Sequence, residues 1–113
     1  MEETIAEKAL RILREVPEDE WITDMYTDGK SRCCAIGHYT RLTSDNPNDY
    51  SNTNCREKEL SLREVTGAFI SKVHSESANI ACVNNYPYIN GYTEPVIKHR
   101  VIHLLEDMVT AGY

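Results

Sequence analysis

The stretch Cys33-Cys34-Ala35-Ile36-Gly37-His38 brings thiols and an imidazole together. If a helix starts here, its dipole favours the Cys34 thiolate. His38, four residues on, then shares the helix face of Cys34. A base at that range activates a thiol. Cys34 as nucleophile, with His38 or His74 as base, would make a cysteine-dependent hydrolase or transferase. The plainer reading is a small core thiol beside a glycine that admits another segment. Nucleophile and base usually converge from separate elements, so the plainer reading is preferred and no catalytic residue is assigned.

Metal-ligand types are also present: Cys33, Cys34, Cys55, Cys82, His38, His74, His99 and His103. His99 and His103 are four apart, a spacing that can chelate. However, there is no C-x2-C pair and no H-E-x-x-H, the patterns by which zinc sites announce themselves. No metal and no cofactor is assigned.

A third group is polar and aromatic. Asn84, Asn85, Tyr86, Tyr88, Asn90 and Tyr92 fall within nine residues. Tyrosine gives contact area at low entropic cost, and asparagine gives adaptable hydrogen bonds. These six residues are the expected binding surface, for a protein partner or, alternatively, a small-molecule or nucleotide-derived ligand. P-loop, dinucleotide, nucleophile-elbow and kinase motifs are all missing.

Positioning such groups takes a folded body. The chain has 113 residues, 41% of them apolar, which fits a single globular domain over 1–113. Residues 1–28 hold nine acids and three bases, and the remainder is balanced, so the whole net charge of -6 lies in the first quarter. That acidic end could meet a basic partner, although a solvated helix face is the preferred reading. Without a Lys/Arg cluster, neither nucleic acid nor anionic membrane is an expected partner. The acidic start, the lack of a long apolar run and four unpaired-looking cysteines point to a cytoplasmic protein with free thiols.

Helix signals recur along the chain. Thr4 and Glu7 make a capping box for a helix over about Thr4–Val16, with Ile5, Ala9, Ile12 and Val16 inward. Trp21, Ile22, Met25 and Tyr26 fit one or two helical turns, and Asp28-Gly29 marks a turn. A second helix is expected over Cys33–Leu42, capped by Ser31, with Ala35, Ile36, Tyr39 and Leu42 as its stripe. Thr43–Cys55 reads as a long surface loop. Ser61 with Glu64, and Leu60 stapled to Val65, predict a third helix from Ser61, its stripe being Leu62, Val65, Phe69 and Val73. Ile80–Val83 reads as a strand or extended segment, and Asn90-Gly91 as a turn. A last helix is expected from near Thr93 with Pro95 in its first turn. Its stripe is Ile97, Val101, Leu104 and Met108, and Gly112 is its terminal glycine. The expected fold is mainly α: an irregular orthogonal bundle of about four helices, with a minor β element near 80–92.

At Trp21, Cys34-Ala35-Ile36-Gly37 and Val83-Asn84-Asn85 the chain resembles a family of small bacterial and phage proteins of unassigned function. That family pairs an N-terminal helix ending before a Trp with a Cys-x-x-Gly-Ala helix and a Trp-Asn-Asp segment. His38 here replaces the Ala, and Val83-Asn84-Asn85 replaces Trp-Asn-Asp. The resemblance implies a phage or mobile-element setting, where small acidic proteins bind and inhibit host machinery. The expected function is a binding or regulatory protein, possible alternatives being the thiol enzyme and the small-ligand binder.

Overall fold

The capping box forms as the sequence predicts. Thr4 Oγ1 accepts the Glu7 N–H at 3.1 Å, and Glu7 Oε1 accepts the Thr4 N–H at 2.9 Å. It opens α1 (Ile5–Leu13) in a computed structural model that describes residues 2–113. The buried face of α1 is Ala6, Ala9 and Leu13, followed by Val16. Ile5 and Ile12 are only half-buried. The small side chains win this face because α1 lies close against the last helix. The helical turns expected on Trp21, Ile22, Met25 and Tyr26 do not form; the stretch carries one 3-10 turn before them, Glu18–Glu20, and is otherwise bends and bridges, because Trp21 and Thr27 pair with Cys33.

Helix α2 (Ala35–Leu42) is the centre of the molecule. Ala35 through Arg41 are all buried, so it has no solvent face rather than the single stripe expected. Its cap is Cys34, not Ser31. A helix enclosed on all sides must satisfy its polar side chains internally. Thr40 Oγ1 donates to the Thr53 carbonyl at 2.6 Å, which ties down the 43–55 loop. Arg41 donates to the Pro47 carbonyl and lies over the Tyr50 ring at 4.2 Å.

Helix α3 (Arg56–His74) starts five residues before the expected Ser61 cap. Leu60 is 41% exposed and makes no staple. The first turn is recruited by tertiary bonds instead: Lys58 Nζ donates to the Thr43 carbonyl at the end of α2, and Glu59 accepts the Tyr26 hydroxyl. The buried face is Leu62, Thr66, Phe69 and Ile70, while Val73 is exposed. The expected strand at 80–83 is helix α4 (Ile80–Asn85). Asn79 caps it through a 2.9 Å bond to the Ala81 N–H, and Thr66 Oγ1 accepts the Ile80 N–H at 3.0 Å. β-branched residues yield here to a cap and a helix partner.

Helix α5 (Ile97–Thr110) begins later than Thr93 because Arg100 turns the Glu94 and Pro95 carbonyls toward its own Nη1. Its end is a Schellman turn: Gly112 at φ +89°, with Tyr113 N–H donating to Met108 and Gly112 N–H to Val109. The fold is thus mainly α, and the described residues form an irregular bundle of five α-helices around one apolar core drawn from each of them. Among the described residues β structure is limited to isolated bridges, Trp21–Cys33, Thr27–Cys33 and Ile89–Tyr92. Among the described residues no helix is long and apolar enough to cross a membrane.

Two glycines give opposite predictions. A Cβ on Gly37 would stand 2.1 Å from the Tyr26 carbonyl oxygen, a clash with backbone. Gly37→Ala should therefore cost about 1–3 kcal/mol or more. A Cβ on Gly67, inside α3, would lie 3.6 Å from the nearest atom outside its helix. Gly67→Ala should add about 0.5–1 kcal/mol. Urea unfolding of both variants checks the pair.

Candidate functional site

The site begins with a carboxylate. Asp28 Oδ1 accepts the N–H groups of Lys30, Ser31 and Arg32, and Oδ2 takes Arg32 Nε at 2.9 Å. The Arg32 guanidinium first, then these amides, hold the Asp28 carboxyl well below the usual carboxylate range. The chain folds back at Gly29 (φ +78°), and Cys33 bridges both Trp21 and Thr27. Cys34 then caps α2, its Sγ accepting the Gly37 N–H at 3.4 Å. Gly37 is what allows the Tyr26 carbonyl to sit against the helix.

From the other side comes Asn84, 1% exposed. Its Oδ1 accepts the Ala35 N–H at 2.9 Å, and its Nδ2 donates to the Ile22 carbonyl and to Asn85 Oδ1, both at 3.0 Å. Asn85 Oδ1 also accepts the Asp24 N–H at 3.0 Å. Asp24 adopts a left-handed conformation, φ 66°. Asp is among the few non-glycine residues that tolerate it.

These bonds frame an open cleft of about 420 Å³. Asp24, Met25 and Tyr26 form one wall, and Asn84, Asn85 and Ala81 of α4 another. Cys34 and Ile36 of α2 and Arg63 of α3 complete it. Glu59 takes the Tyr26 hydroxyl at 2.7 Å and Arg63 Nε at 2.8 Å. Burial pushes the Glu59 carboxyl up, but these two donors outweigh it and the group lies below its ordinary range. The bond to Glu59 raises Tyr26.

Cys34, the nucleophile of the alternative reading, lines this cleft, and among the described residues no imidazole is bonded to its thiol. Burial raises the Cys34 thiol, and the Gly37 N–H only partly offsets this. His38 is fully buried with both nitrogens engaged: Nε2 meets the Glu20 carbonyl at 2.6 Å and Nδ1 meets Arg41 Nη2 at 3.0 Å. An arginine can only donate, so Nδ1 accepts and Nε2 carries the proton. Burial, aided by Arg41, lowers His38 to about 4. His74 Nε2 is engaged with Tyr92 Oη at 2.9 Å.

The six expected binding residues do not form one surface. Tyr92 is a core residue, 0% exposed, its hydroxyl donating to Asp107 and its ring flanked by His74 and His103. Asn84 is a buried strut. The stretch expected as a loop over 84–92 is helical as far as Asn85 and then folds Tyr92 inward, while Asn84 meets the cleft wall. Asn85 lines the cleft, Tyr86 and Tyr88 are 50% and 81% exposed, and Asn90 is exposed, its N–H on Glu76. His99 and His103 are paired with Glu18 and with Glu94 and Asp107. Among the described residues no group of three or more ligands could hold a metal. Sequence reasoning missed Asp24, Met25, Tyr26 and Arg63 as cleft residues. The one local cue was Asp28-Gly29, which marks the turn that returns this segment to α2.

His38 fixes a pH dependence. The unfolded chain takes up a proton near pH 6.5 that the folded chain refuses until about 4. The stability held by neutral His38 is whole above pH 6.5 and is lost as pH falls toward 4, by about 3 kcal/mol in all. Urea unfolding from pH 7 to 4 should show a steeper loss for the wild type than for His38→Gln, and NMR should find the ring neutral at pH 5. For Cys34, iodoacetamide at neutral pH should react more slowly than with a free peptide thiol. Cys34→Ser should keep the fold and gain up to about 1 kcal/mol, since a hydroxyl caps better than a thiol.

Comparison with protein-family models, with curated proteins and with solved structures finds no match.

Proposed function

We propose that this is a non-enzymatic binding protein that engages a protein partner through the surface around the Asp24–Asn85 bond. The observation that carries the reading is the exposure of Met25 (54%) and Tyr86 (50%), each one residue from that bond, with Tyr88 at 81% beyond. Methionine and tyrosine are enriched at protein interfaces. Large apolar side chains left in water beside a cleft are more informative than scattered ones. The scaffold beneath is fixed by buried hydrogen bonds, which lowers the ordering cost of association.

The family resemblance at Trp21, Cys34–Gly37 and Val83–Asn85 adds the setting: a cytoplasmic phage or mobile-element protein that inhibits a host protein complex. The thiol-enzyme alternative draws less support, because Cys34 has a raised pKa and no imidazole bonded to it.

The test is a triple variant, Met25→Ser, Tyr86→Ser and Tyr88→Ser. These side chains are exposed, so the melting temperature should stay within a few degrees. A partner isolated by affinity capture from a host cell extract should bind the variant at least about tenfold more weakly, since interface aromatics commonly carry more than 1 kcal/mol each. Undiminished binding by the folded variant, or no partner at all, would refute the proposal.

A further inference from the structure

The cleft itself carries an inference separate from the partner surface. Its walls offer three polar groups with unused capacity. Asn85 commits Oδ1 to Asp24 and Asn84, and its Nδ2 has no protein partner among the described residues. Arg63 commits Nε to Glu59, which leaves the Nη edge of the guanidinium, beside the Tyr26 hydroxyl, for the cleft. Asp24 is exposed, and its carboxylate makes no ion pair or hydrogen bond among the described residues. Around them Met25, Ile36 and Ala81 are apolar.

Charge decides the ligand class. Arg63 is already matched by Glu59, so the surplus charge of the cleft is the carboxylate of Asp24. A bare anion would meet the donors but be repelled by Asp24. A bare cation would pair with Asp24 and leave the Asn85 and Arg63 donors unanswered. A zwitterion satisfies both ends, its ammonium on Asp24 and its carboxylate on Arg63 and Asn85. The apolar walls suit an aliphatic side chain, and about 420 Å³ is at the small end of ligand pockets. We infer that the cleft binds a small zwitterion with an apolar side chain, a free amino acid or a dipeptide.

Asp24 adopts a left-handed conformation, which Asp tolerates, and its N–H donates to Asn85 Oδ1. Asn also tolerates the conformation, so Asp24→Asn should fold and test the charge alone.

The experiment is an NMR titration of the wild-type protein with L-leucine and with L-leucyl-L-leucine, and with N-acetyl-L-leucine and L-leucinamide as blocked analogues. At least one zwitterion should give saturable shifts at Asp24, Asn85 and Arg63, and the better of the two identifies the source. Each blocked analogue should bind at least about tenfold more weakly, the loss expected for one charge-assisted hydrogen bond. Asp24→Asn should weaken the zwitterion and abolish the discrimination against N-acetyl-L-leucine. Arg63→Gln should do the same for L-leucinamide. Absence of saturable shifts with both zwitterions, or blocked analogues that bind equally well, would overturn the inference. Met25 borders both the cleft and the partner surface, whereas Tyr86 and Tyr88 lie outside the cleft, so neither result decides partner binding.

Discussion

The side-chain amide of Asn84 is the interaction on which the rest of the structure depends. It joins its own helix to two segments distant in sequence, the start of α2 through Ala35 and the 22–24 segment through Ile22, and also bonds its neighbour Asn85. Its backbone carbonyl is held in turn by Arg100 of α5, which also takes the Val83 carbonyl. A cation placed there answers the unsatisfied end of α4 and complements its dipole. Each buried group orphaned by loss of the amide would cost about 1–3 kcal/mol, a large share of the stability of a small domain. The two long-range walls of the cleft are therefore fixed by a single side chain.

The same economy governs α2. A sheet would satisfy the loop backbone by ladders, but the described residues form only isolated bridges, and the irregular segments still carry buried carbonyls. Side chains from the central helix supply the donors: His38 to Glu20, Thr40 to Thr53, Arg41 to Pro47. Burying a histidine and an arginine in one helix is costly unless they are bonded. The cost is met by pairing them with each other and with loop carbonyls, and by stacking Arg41 on Tyr50. Of the buried side-chain nitrogens and oxygens among the described residues, only Arg41 Nε lacks a partner.

What was legible in the sequence was what local chemistry decides. The Thr4–Glu7 box, the α5 stripe with Gly112 and the loop from Thr43 to Cys55 each depend on a few neighbouring residues, and each is found. The misses lie where distant contacts overrule local preference. Ser61 and Glu64 match a capping box, yet Lys58 and Glu59 gain partners on other elements and draw the helix back to Arg56. Ile80–Val83 has strand-forming side chains, but the Asn79 cap and Thr66 make it a helix. Tyr92 has the composition of a contact residue, and only the cluster of His74, Asp107 and His103 reveals a core position. The Cys34–His38 spacing correctly places both on α2, with Cys34 as the cap. It could not show that His38 is consumed by Glu20 and Arg41.

The bonds that stiffen the scaffold also decide which groups remain for a ligand. Asn85 spends its oxygen on holding Asp24 and keeps its amide hydrogens. Glu59 grips Arg63 at Nε, which orients the outer edge of the guanidinium without consuming it. Asp24 spends its backbone N–H and keeps its carboxylate. For Asn85 and Arg63 the structural bond uses one part of the side chain and leaves the rest. Those two side chains have already lost some of the conformational freedom that binding would otherwise remove, whereas the Asp24 carboxylate is held by no bond among the described residues. A cleft framed by half-used polar groups is thus pre-organised by the hydrogen bonds that hold the fold together, and stability and recognition here draw on the same few residues.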